Sequence, residues 1–473
     1  MNDAVAERLE AQIAVVGAGP AGLAAAIEAA RAGARVVVVD EGHRPGGQIH
    51  RQPPAAFAAP SGAGHGHGRG SALLAELAAS GVAVVSGATV WDASPRHVAF
   101  ERDGAAGVLS CERLILAPGA YDLCIPFPGW DLPGVITAGA AQVMVRGFRV
   151  APGTRALVAG TGPLLLPTIT ALLSAGVEVV AALEANGRGA RLRAGLGLLR
   201  SPARLREAFR YLRALRAHRV DYRLGWAIRR VHGDGRVERA TIARVDRRGS
   251  PRPGTEEDLE VDVVCAGFGL QPSIELARLL GCAMRHEPVR GGWLPVHDSA
   301  MQTSVPGVYV AGEIAGIGGG EVAEAEGRIA GIAAARSLGL QAPDAGRRLR
   351  AATRARARER AASDALLGAF APPPGLYDLA DDATVVCRCE DVTLGRLRET
   401  ARVFGAGLRS LKMGSRAGMG PCQGRICQHA VWMLAQRQFG STERPMPCPV
   451  VQVPVKPVSV ATMLATGPHA GRR

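Results

Sequence analysis

Two stretches of this chain share one pattern: a short apolar run, a turn broken by glycines, and then a longer segment with helical spacing. The first is Ile13-Ala-Val-Val followed by Gly17-Ala-Gly19-Pro20-Ala21-Gly22, a predicted helix over Leu23–Ala32 and a strand over Arg35–Val39. The second is Ala156-Leu-Val-Ala followed by Gly160-Thr-Gly162-Pro-Leu-Leu165, with a next strand that ends at Glu184. Unbroken apolar runs of this length mark strands buried on both faces of a parallel sheet. Between Pro163 and Leu183 the one charge is Glu178, and Gly176 divides the stretch. It therefore reads as a buried helix and strand, too short in each part to cross a bilayer. Further on, Thr393 stands where an N-cap belongs, ahead of a helix through Leu394, Leu397 and Ala401 to Gly405, and Ala430–Leu434 is a second apolar helical stretch.

The glycine turns carry the first chemistry. In a strand–turn–helix context, Gly17 permits the tight turn, Gly19 lets a pyrophosphate approach the backbone, and Gly22 lets the helix close on the strand. Asp40 ends the following strand, where a carboxylate accepts both ribose hydroxyls and repels a 2′-phosphate. Pro45-Gly46-Gly47-Gln48 follows at once, and Thr303–Glu313 is an apolar strand ending in Ala-Gly312-Glu313. That last segment resembles the flavoprotein strand that sets a carboxylate beside FAD, which assigns FAD to the first site through Gly17, Gly19, Pro20, Ala21, Gly22, Asp40, Glu41, Gly47, Gln48, Gly312 and Glu313. Leu114-Ile-Leu-Ala-Pro-Gly119 departs from the usual Ala-Thr-Gly by one hydroxyl. At the second site Gly160, Gly162 and Glu184 suit NAD or another adenine nucleotide. Leu165 replaces the third glycine, so a nucleotide fold kept only as a spacer is the competing reading.

Cysteines carry the second chemistry. Cys387 and Cys389 are one residue apart, and Cys422 and Cys427 sit in the glycine-rich turn Gly418–Cys427. Two close pairs supply the four thiolates of a [2Fe-2S] cluster. Zinc is the alternative metal, although its sites favour a different spacing. Cys111, Cys124, Cys265 and Cys282 are isolated, so no redox disulfide is expected, and Cys124 reads as packing. No residue is assigned a catalytic role. His65 and His67 lie in Ser61–Gly70, a glycine-rich loop expected to be flexible.

Composition narrows the partners. The 473 residues require two or three domains. The net charge of +14 is carried by arginine, Lys412 and Lys456 being the only lysines, and few aromatics accompany it. A base-stacking platform is therefore not expected, and an acidic protein partner is. An odd count of nine cysteines and an acidic, non-apolar start favour a reducing cytoplasmic setting, or the inner face of a membrane without an integral segment.

Asp40–Ile49, Pro126–Gln142, Gly267–Pro272, Val386–Glu390 and Gly420–Arg425 together make the chain similar, over nearly its whole length, to the alpha (A) subunits of two-component flavin amine dehydrogenases. That family includes hydrogen cyanide synthase, opine oxidase and hydroxyproline dehydrogenase, and the final segment resembles the [2Fe-2S] domain of bacterioferritin-associated ferredoxin. The resemblance implies an α/β, two-dinucleotide-binding-domain flavoprotein of Rossmann-like fold with a small helical cluster domain. It implies a beta subunit with its own FAD that oxidises the C–N bond, and a downstream electron acceptor. The expected order is FAD domain 1–150 and 266–340, inserted nucleotide domain 151–265, connection 341–380, cluster domain 381–440 and proline-rich tail 441–473. The rival functions are a self-sufficient NADH-dependent reductase and a non-catalytic assembly subunit.

Overall fold

A computed structural model describes residues 7–53, 57, 67–199 and 201–466. His65 lies outside these residues, and at His67 a helix already begins, His67–Ala79. The chain divides into two compact units, one of residues 1–120, 271–361 and 448–473, the other of 121–270 and 362–447.

In the first unit five parallel strands lie in the order Val308–Val310, Arg113–Leu116, Ile13–Val16, Val36–Asp40, Ala83–Ser86. The strand Ile13–Val16 is buried throughout, as its unbroken apolar run requires. Helix Pro20–Arg31 packs on Gly320–Arg336. The approach is close because Gly327 and Gly331 face Ala21 and Ala25: a Cβ on either glycine would fall 2.0 or 2.2 Å from a carbonyl oxygen. Around the buried Glu28 of the first helix stand Arg31, Arg328 and Arg348. A four-stranded sheet, Glu7–Glu10, Ala105–Ser110, His97–Arg102 and Ala88–Ser94, completes the unit. The tail packs beside it without regular structure until the short helix Val460–Ala465: Val455 donates to the Trp91 carbonyl at 2.8 Å, and Thr462 to Glu101 at 2.6 Å.

The second unit repeats the design. Its parallel strands run Val135–Thr137, Val263–Gly267, Arg155–Gly160, Glu178–Glu184, Tyr222–Leu224. Helix Leu165–Ser174 follows the glycine turn, and the antiparallel strands Trp226–His232, Arg239–Arg244 and Glu257–Glu260 form a separate sheet against Arg155–Gly160 and Glu178–Glu184. The connection is mostly one helix, Ala345–Ala369. Beyond it the structure is largely helical: Leu394–Phe404, Leu408–Ser415 and Gln428–Gln438, with a small strand pair Val385–Cys387 and Val392–Thr393. Thr393 caps its helix by accepting from the Arg396 N–H at 3.3 Å. Among the described residues no helix is long and apolar enough to cross a membrane.

Candidate functional site

Three places in the two units gather the residues that the sequence singled out. In the first unit, Gly17 has φ +101°, and a Cβ there would lie 2.2 Å from the Ala117 carbonyl oxygen. A Cβ on Gly22 would lie 1.8 Å from the Gly17 oxygen. These two glycines are demanded by the protein itself. Gly19 is not: its φ of −76° suits any residue, and a Cβ would come no nearer than 3.9 Å to anything, the Cα of Gly47. The bare backbone at Gly19 and Gly47 therefore leaves open a cradle beside the start of helix Pro20–Arg31, where N–H groups favour a phosphate.

The acids around this cradle are engaged with its backbone. Asp40 accepts from the Ala18 N–H at 2.5 Å and the Gly42 N–H at 2.8 Å, and burial raises its pKa against those two bonds. A carboxylate has about four acceptor positions, so two remain for ribose hydroxyls. Gly312 packs on Ala21, and its N–H donates to Glu326 at 3.1 Å. Glu313 accepts from Gly318 and Gly319 at 2.7 and 2.9 Å, and burial raises its pKa too. It orders the turn into helix Gly320–Arg336. Glu41 pairs with Lys456, and Gln48 is exposed and accepts from Arg51 at 2.9 Å. This donor and acceptor set, with its open cradle, fits FAD.

The second glycine turn is built alike and filled differently. Gly160 has φ +149°, and a Cβ would meet the Gly267 oxygen at 1.8 Å. Gly162 has φ +90° and is faced by Phe370. Leu165 is fully buried at the position of the third glycine. Glu184 has no exposure: it accepts from the Gly162 N–H at 2.8 Å and from the main chain and amide of Asn186 at 2.9 and 3.1 Å. Burial, opposed by those bonds, pushes its pKa up to about 7. The Thr161 hydroxyl is buried and without a hydrogen-bond partner among the described residues.

All four paired cysteines line one cavity of about 190 Å³ in the second unit. They meet crosswise to their order in sequence, Cys387 with Cys427 and Cys389 with Cys422. The Cys427 thiol donates to Cys387, and N–H groups of Gly418 (3.4 Å), Glu390 and Cys389 add to it, bringing Cys387 down to about 6; Cys427 is raised in return. Cys387 and Cys427 are buried, Cys389 is exposed and Cys422 intermediate. Cys427 is the N-cap of Gln428–Gln438. Among the described residues no group of three or more His, Cys, Asp or Glu side chains is drawn to metal-holding spacing. In kind, four thiols with N–H groups turned toward a sulfur suit an iron–sulfur cluster.

The same cavity is walled by Cys124, Phe127, Trp130 and Phe268. Trp130 donates to the Val385 carbonyl at 2.5 Å and lies under the Arg388 guanidinium, 5.2 Å from its ring centre. Cys124, read from sequence as packing, is buried with its thiol raised to about 12, chiefly by burial. Periodicity could not place these walls, which stand roughly 120 to 260 residues before Cys387 in sequence. The one signal was the Pro126–Gln142 resemblance.

A family model described as pyridine nucleotide-disulphide oxidoreductase matches residues 11–339. This chain belongs to that family. It is an oxidoreductase with the family's FAD-binding fold, yet the described cysteines are all free, and those within the matched span are the isolated, buried Cys111, Cys124, Cys265 and Cys282. The A subunit of opine oxidase from Agrobacterium tumefaciens (strain Ach5) is 34% identical, the match covering 97% of this chain and 92% of that protein. The HcnB subunit of hydrogen cyanide synthase from Pseudomonas aeruginosa is 32% identical over 87% of this chain and 90% of its own length. This family member also shares its fold with the crystal structure of L-proline dehydrogenase from P. horikoshii, at TM-score 0.68 and 21% identity, covering 97% of this chain and 80% of that one.

Proposed function

We propose that this chain is the electron-transferring subunit of a two-component dehydrogenase that oxidises the C–N bond of an amino or imino acid, with substrate oxidation on a separate FAD-containing beta subunit. The observation that carries this reading is the cavity of four thiols in a nucleotide-fold oxidoreductase that lacks a redox disulfide, together with an end-to-end match to the opine oxidase relative. When bound, FAD converts two-electron to one-electron transfer and a [2Fe-2S] cluster takes single electrons. Gly17, Gly19, Gly47, Asp40, Gly312 and Glu313 would hold the flavin. Gly19 and Gly47 give the pyrophosphate its approach, and Asp40 orients the ribose. Cys387, Cys389, Cys422 and Cys427 would hold the cluster, with Gly418 and Glu390 N–H groups stabilising charge on Cys387. Among the described residues, the acids at the flavin cradle, Asp40, Glu41 and Glu313, are each engaged with backbone N–H groups or with Lys456. The exposed arginines suit an acidic partner surface, and nine free cysteines suit a reducing compartment such as the cytoplasm.

The test is expression with and without the partner subunit. The chain alone should contain FAD, iron and sulfide, and leave glycine, hydroxyproline, sarcosine and opines unoxidised. Adding the partner should restore amine-dependent dye reduction. Cys427→Ser should remove the iron while Cys448→Ser retains it. Zinc without sulfide would overturn the cluster, and amine turnover by the chain alone would overturn the two-component reading.

A further inference from the structure

In doubly wound folds a dinucleotide lies across the carboxyl ends of the strands, over the glycine turn, with its ribose at the acid that ends the next strand. On the second nucleotide fold each of these places touches one segment of the same unit. Over the turn, Phe370 puts its Cβ 3.6 Å from where a side chain on Gly162 would begin. Beside the ribose acid, Asn186 donates its amide to the Ala371 carbonyl at 3.4 Å. Along the next helix, Arg188–Leu198, Leu366 and Ala369 pack with Ala194, Leu198 and Phe370, and Gly197 sits so close that a Cβ would be 2.5 Å from that of Ala365. The segment is pinned downstream as well: the Gly375 N–H donates to the Arg248 carbonyl at 2.6 Å.

We propose that Ala362–Ala371 is the resident occupant of the second nucleotide fold, so that the chain itself shuts this site to NAD and NADH. Phe370 stands against the turn over which the pyrophosphate would lie, and the Ala371 carbonyl takes the amide donor beside the ribose position. Glu184 differs from Asp40 in having no exposure and in holding three bonds, from the Gly162 N–H and from the main chain and amide of Asn186, so a ribose finds no open face on it. Reducing equivalents therefore do not enter through the second fold. This inference is independent of the C–N reading, because it concerns which ligand the fold admits and not what a partner oxidises.

The experiment is calorimetric titration of the FAD-loaded full chain with NADH, in the parent and in a Leu366→Ser, Phe370→Ser double variant that frees the segment. The parent should take up no NADH at millimolar concentration. The freed variant should bind one equivalent at least tenfold more tightly, and a further Gly162→Val should remove that binding. Uptake by the parent that Gly162→Val abolishes would overturn the proposal. So would a freed variant that melts cooperatively, keeps its FAD and still ignores NADH, since something other than this segment would then exclude the nucleotide. If the double variant does not fold, hydrogen exchange on the parent decides. Unchanged exchange at Gly160–Leu165 and Leu366–Ala371 in NADH supports the proposal, and slowed exchange at Gly160–Leu165 overturns it.

Discussion

The two glycine turns of this chain are nearly the same in sequence and opposite in accessibility. In the first, the middle glycine is free of any contact that forbids a side chain; in the second, the corresponding glycine has a left-handed backbone and a phenylalanine against it. The outer glycines, Gly17 and Gly22 in one and Gly160 in the other, serve the protein's own packing. The comparison teaches that a G-x-G pattern reports two different requirements, one of fold and one of ligand, and that only the middle position separates them.

The largest effects should come where a glycine serves the protein's own packing. Gly22→Val and Gly160→Ala each drive a Cβ to 1.8 Å from a carbonyl oxygen. Each should cost more than about 3 kcal/mol and abolish soluble, cooperatively melting protein, measured by yield and thermal unfolding. A stable Gly160→Ala protein would break the comparison.

Next comes the position where the two turns differ. Gly19→Val should lower FAD content about tenfold or more while leaving the melting of the apo chain near the parent's, because the side chain enters the cradle and not the packing. Full FAD retention would remove the first site.

The acids sharpen the contrast through pH. Glu184 is raised from an ordinary 4.5 to about 7. Between those values the folded state binds more protons than the unfolded one, so this contribution is complete below about pH 4.5 and is lost as pH rises through about 7. Glu184→Gln should flatten that fall in a plot of melting temperature against pH, and an unaltered slope would show that the group does not titrate there.

The smallest effect belongs to Gly162→Ala. Its φ of +90° strains any Cβ by about 1 kcal/mol. The predicted result is a modest loss in chemical denaturation with FAD content unchanged, the reverse of Gly19→Val.

Much of the fold was legible because strand, turn and helix are local. The runs at Ile13 and Ala156 predicted two parallel sheets, Gly176 separated a helix from a strand, and Thr393 announced its cap. Leu165 signalled that the second turn departs from the first. What could not be read lies in long-range contacts. The sequence groups the cysteines as 387 with 389 and 422 with 427, whereas folding brings 387 to 427 and 389 to 422. Nothing near Gly162 marks Phe370, some 200 residues away, as its neighbour. Asp40 and Glu184 occupy matching positions, yet Glu184 is fully buried and Asp40 is not, a difference the pattern does not show. The strand Glu7–Glu10, paired in parallel with Ala105–Ser110, had no periodic signal either.

The sheet around the first turn needs Val308–Val310, and its helix needs Gly327 and Gly331, whereas every strand of the second sheet lies between Val135 and Gly267. Because a ribosome delivers the chain from its N-terminus, the second sheet has all its strands while the first still lacks an edge and a supporting helix. The turn translated first is thus the turn finished last, and flavin uptake belongs to the end of synthesis. Chains arrested on the ribosome before Val308 should resist protease across the second sheet and retain no FAD.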